Sequence, residues 1–74
     1  MCDKNDIINS LTELTEGNND EIKLVAISTL GDYKATIENE ITLSRLVALF
    51  KDPNKDVAIA SIKAISKLST YFND

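Results

Sequence analysis

One segment of this chain occurs twice. Asn19-Asp20-Glu21-Ile22-Lys23-Leu24-Val25-Ala26-Ile27-Ser28-Thr29-Leu30 lies over Asn54-Lys55-Asp56-Val57-Ala58-Ile59-Ala60-Ser61-Ile62-Lys63-Ala64-Ile65 at an offset of 35, without a gap. The same offset places Leu11 and Leu14 on Leu46 and Leu49, and Tyr33 on Leu68. Self-similarity at a period of roughly 20–50 residues marks a repeat architecture, in which each unit buries its apolar face only by stacking on a neighbour. Two such units fill the 74 residues, which predicts a single domain over 1–74. Repeat one then spans about 3–35 and repeat two about 38–72.

Each unit reads as a pair of helices. Between Asp3 and Glu16, Ile7, Leu11 and Leu14 recur at helical spacing, and Ile8 widens the stripe. Gly17 is a natural stop in the left-handed conformation, and Asn18-Asn19 supplies a cap for the next helix. That second helix is expected from about Asp20 to Tyr33 or Lys34, with Asp20 and Glu21 in the first turn, where the helix dipole favours acids. Gly31 weakens it by roughly 1 kcal/mol relative to Ala. A close helix crossing would explain that glycine, as would an early helix end.

Thr36 or Asn39 is expected to cap a third helix, whose apolar face is Leu43, Leu46, Val47, Leu49 and Phe50. It ends near Lys51, because Pro53 disfavours helix at Asp52. Asn54 caps a fourth helix reaching about Tyr71. Loops of two or three residues before the second and fourth helices make each unit an antiparallel hairpin. The predicted fold class is all-α, with four helices in two stacked hairpins.

Composition narrows the function. There is no His and no Trp, and Cys2 is the lone cysteine, which removes the commonest general base and the usual transition-metal ligand sets. No glycine-rich phosphate loop is present, and the paired acids Asp20-Glu21 and Glu38 with Glu40 sit at helix starts, where capping and the dipole account for them. The reading is a non-enzyme with no cofactor and no metal. Cys2 cannot form an internal disulfide and reads as a frayed-end thiol. No apolar run approaches the roughly 18 residues of a membrane span and no signal peptide is read, so a reducing cytoplasm is the expected compartment. The net charge of −4 is uneven. Residues 1–40 hold nine acids and three bases, giving −6; residues 41–74 hold three acids and five bases, giving +2. Opposite ends of such a chain can steer other molecules, or copies of itself, together.

The stretch Leu46-Val47-Ala48-Leu49-Phe50-Lys51-Asp52-Pro53-Asn54-Lys55-Asp56-Val57 through Ile65 resembles the HEAT repeat. It has the apolar first helix, the Asp-Pro turn with a second polar cap, an acid before a β-branched residue, and then Ala and Ile positions. The first copy is similar through Leu11, Leu14, Asn19, Glu21, Ile22, Ala26, Leu30 and Gly31, but lacks the Pro. The basic residue usual after the β-branched position is Lys23 in one copy and Ala58 in the other. The resemblance implies a short right-handed α-solenoid and a scaffold or adaptor role, with the second helix of each repeat lining the docking side.

The repeats differ in what would cover them. Ile22, Ala26, Leu30 and Tyr33 are expected to face the first helix, leaving Leu24 and Ile27 to pack on the second repeat. Their equivalents Ile59 and Ile62 have no third repeat to cover them. Thr12 and Thr15 stand where the second repeat has Val47 and Phe50, which reads as a polar N-terminal cap. The uncovered C-terminal face of Ile59, Ile62 and Ser66, with Tyr71 and Phe72 near the chain end, is the expected self-association or partner surface. Two copies across a twofold axis would form a homodimer, unless Tyr71 and Phe72 fold back over the patch. Ser28, Asp32, Lys63 and Lys67 form a second candidate, a concave docking face suited to a charged peptide or protein. The alternative reading is a nucleic-acid-binding module using the basic second repeat, through Lys51, Lys55, Lys63 and Lys67. The acidic first repeat opposes it.

Overall fold

The computed structural model describes residues 3–73; Cys2 lies outside them. The fold is all-α. Among the described residues there are four α-helices and no strand: α1 Lys4–Leu14, α2 Asp20–Asp32, α3 Glu40–Ala48 and α4 Lys55–Ser69. Short 3₁₀ turns cover Lys34–Glu38 between the repeats, Leu49–Lys51 after α3, and Thr70–Asn73 after α4.

Every α-helix starts on an Asp or Asn side chain that accepts first-turn N–H groups left without an intrahelical partner. Asp3 accepts from the Asp6 N–H at 2.9 Å, and Asp6 returns the contact to the Asp3 N–H at 3.3 Å. Asn19 caps α2 through the Ile22 N–H at 3.1 Å, and Asn39 caps α3 through the Thr42 N–H at 3.0 Å. Asn54 accepts from both Asp56 and Val57. Asn39, rather than Thr36, therefore sets the start of α3. Thr36 is fully buried in the 3₁₀ turn, where its hydroxyl donates to the Leu30 carbonyl at 2.9 Å and satisfies the end of α2.

Helix ends depart more from expectation. No described glycine has a positive φ, so Gly17 does not act as a left-handed stop. Instead α1 tightens through N–H bonds from Thr15 to Thr12, Glu16 to Glu13 and Gly17 to Leu14. The loop to α2 consequently runs over residues 15–19, longer than expected.

The α1–α2 and α3–α4 hairpins stack, and the broadest contact is between α2 and α4. Gly31 makes that contact possible. A Cβ placed there would sit 2.9 Å from the Ala64 Cα, so the helices cross at backbone distance. One apolar cluster runs through both repeats: Ile8, Ile27, Leu30, Leu46, Leu49, Val57, Ala64 and Leu68. Around it the Cα trace measures 31 × 31 × 16 Å, a thin slab in which large faces stay open. No helix among the described residues is long and apolar enough to cross a membrane.

Candidate functional site

The seam between the repeats is built from polar side chains at the positions read above as an outer cap. Thr12 and Thr15 are buried, at 9% and 0% exposure, because they face α3 rather than solvent. Thr12 donates its one hydroxyl hydrogen to the Ile8 carbonyl at 2.7 Å. The Thr42 hydroxyl, 2.8 Å from Thr12 Oγ1, must therefore be the donor of that pair. Arg45 reaches the end of α1, donating from Nε to Thr15 Oγ1 at 3.1 Å and from Nη2 to the Thr15 carbonyl at 2.8 Å. A cation suits that position, where helix carbonyls leave negative partial charge. The polar-cap reading is thus overturned. A threonine whose hydroxyl returns to its own helix buries as readily as an apolar residue, so its polarity does not mark an outer face of α1.

With α1 turned this way, Val47 joins the C-terminal face. Thr12 at 9% corresponds to Val47 at 49%, and Ile27 at 0% corresponds to Ile62 at 46%. Leu24 is half-buried, whereas Ile59 is 40% exposed. Thr12, Leu24 and Ile27 thus correspond to open apolar positions in repeat two, whereas Phe50, the counterpart of Thr15, is half-buried. Ser66 is exposed beside them, one turn beyond Ile62. Tyr71 does not belong to this patch. It is half-buried against the core, with the Lys34 ammonium 5.6 Å from its ring centroid, beside the Lys34–Glu38 turn. Phe72 is 60% exposed, so it stays uncovered itself.

The second candidate comes together as expected. Ser28 and Asp32 of α2 and Lys63 and Lys67 of α4 line one open groove of about 410 Å³ over the Gly31–Ala64 crossing, with Ile59 at its rim. Asp32 and Lys67 form an ion pair across it, and that hydrogen bond and charge raise the Lys67 pKa above its ordinary value. Lys63 forms no ion pair among the described residues. With Lys67 neutralised by Asp32, the basic stripe on repeat two is weaker than its residue count implies.

The sequence reading missed an apolar face at the other end. Ile7 and Leu14 on α1 and Ile22 and Val25 on α2 are 43%, 46%, 46% and 66% exposed. Ile22 lies beside α1 as expected, sharing an open apolar groove with Leu11 and Leu14, but unlike Ala26 and Leu30 it is not buried there. At about 100° per residue, Ile22 and Val25 fall opposite Ile27, the residue aimed at α4. The available signal was the same offset read backwards: Ile22 and Val25 correspond to Val57 and Ala60, which repeat two turns inward.

No family model, curated protein or solved structure matches this chain.

Proposed function

We propose that this chain is a small non-catalytic protein-interaction module of two HEAT-like repeats, and that its C-terminal end face is occupied by a second copy. One observation carries the reading: Ile62 is 46% exposed at the position where Ile27, its counterpart in repeat one, is fully buried by the next repeat. Burying an Ile stabilises by about 1.5–3 kcal/mol over leaving it in water. A domain of 74 residues is marginal alone, so a second copy over Val47 and Ile62 adds a meaningful share of its stability. The groove of Ser28, Asp32, Lys63 and Lys67 stays open in that arrangement and is the docking side for an acidic or mixed-charge protein segment.

The test compares the wild type with Ile59→Lys/Ile62→Lys by size-exclusion chromatography with light scattering. The wild type is expected above 8.2 kDa and the variant at 8.2 kDa. A variant that keeps the wild-type mass removes the C-terminal face from the interface.

A further inference from the structure

We infer that the second copy meets this face with its own N-terminal end, so that copies stack head to tail and continue the solenoid. The inference rests on the self-association reading above and specifies its geometry. Its basis is that the chain already contains one such junction, between repeat one and repeat two. Advancing the seam contacts by one repeat gives the junction between copies. Arg45 with Thr15 becomes Ser10 of the next copy with Phe50, which loses those hydrogen bonds, and the remaining pairs bring no like charges together. Thr12 against Thr42 becomes Val47 against Ile7 of the next copy, two exposed apolar residues. Asp32 with Lys67 becomes Lys67 beside Asp32 of the next copy, so an ammonium already paired within its own chain meets a second carboxylate and no like charge. Asp20 with Asn54 becomes Lys55 with Asn19, again a donor facing a polar acceptor. Lys23 with Asp52 becomes Ala58 with Gly17, which brings no charge together.

The field points the same way. Repeat one over 3–35 holds seven acids and three bases, giving −4, and repeat two over 38–72 holds four acids and five bases, giving +1. A head-to-tail contact therefore joins opposite net charges, whereas a twofold contact through the C-terminal faces joins like ones. Both ends also carry exposed apolar residues, and a twofold dimer would leave Ile7, Leu14, Ile22 and Val25 in water. The transposed crossing sets the strength. Gly31 over Ala64 becomes Ser66 over Thr29, so copies stand further apart than the repeats within one chain and the contact is reversible.

Complementation distinguishes the geometries. Val25→Lys blocks the N-terminal face and Ile62→Lys the C-terminal face; both residues are exposed, and circular dichroism checks that each variant stays helical. Head-to-tail stacking leaves each variant at 8.2 kDa alone, while an equimolar mixture forms a pair of about twice that mass through the two intact faces. If Val25→Lys still dimerises alone and the mixture adds nothing, the contact is a twofold one and the inference is overturned, with self-association standing. A wild type that stays at 8.2 kDa at millimolar concentration overturns both. Wild-type growth beyond two copies supports stacking without any variant, since a heterologous contact that does not close into a ring continues.

Discussion

At the scale of single residues, two small groups decide whether the repeats close on each other. Gly31 sits where an added Cβ meets the Ala64 Cα at 2.9 Å, and backbone cannot move aside as a flexible side chain can. Gly31→Ala therefore gains about 1 kcal/mol of helix propensity but loses about 1–3 kcal/mol to overpacking. A net loss near 1 kcal/mol is expected in urea denaturation. Gly17→Ala is the control: its nearest neighbour lies at 3.6 Å and its φ is not positive, so it should be neutral or slightly stabilising. The Thr42–Thr12–Ile8 chain is the second group. Thr12→Val leaves the buried Thr42 hydroxyl without its acceptor, which costs about 1–3 kcal/mol. Thr12→Val/Thr42→Val should recover most of that loss in the same measurement, because no polar group is then stranded.

At the scale of elements, the helix starts were legible and the helix ends were not. Asn19, Asn54 and the Asp52-Pro53 turn are local signals, since each cap acts on its own first turn. The 3₁₀ turn over Lys34–Glu38 is not local: Thr36 is drawn inward by the Leu30 carbonyl, a contact six residues away in sequence. Likewise Thr12 and Thr15 look like surface residues until α3 supplies Thr42 and Arg45. The turn before α4 carries a pH dependence. Asp52 accepts from the Asn54 N–H at 2.9 Å and from Lys23 at 3.1 Å, and these contacts, led by the Asn54 bond, hold its carboxyl below the ordinary value. A depressed folded pKa gives stability that is present above the unfolded value, near 3.8, and is lost as pH falls through the lower folded value. Asp52→Asn should lower stability at neutral pH by on the order of 1 kcal/mol, because it removes the charged acceptor of Lys23 where both side chains are only 12% exposed. It should also flatten the acid side of a thermal-melt series between pH 5 and pH 2.

At the scale of the whole molecule, the 35-residue offset revealed the two hairpins, the all-α class and the exposed Ile59 and Ile62. It did not reveal which face of α1 packs on α3, because a self-match is symmetric between a residue that covers and one that is covered. Only the packed structure shows that face, through the burial of Thr12 and Thr15 and the exposure of Val47; the burial of Ile27 on α2 follows the sequence expectation. The result is a slab with exposed apolar residues at both ends and an open groove of Ser28, Asp32, Lys63 and Lys67 between them. The central claim is that a second copy occupies the C-terminal end. Sedimentation equilibrium of the wild type over a wide dilution series tests it most directly. A weight-average mass that rises with concentration from 8.2 kDa and passes two copies is the expected result. A mass fixed at 8.2 kDa at every concentration would contradict it.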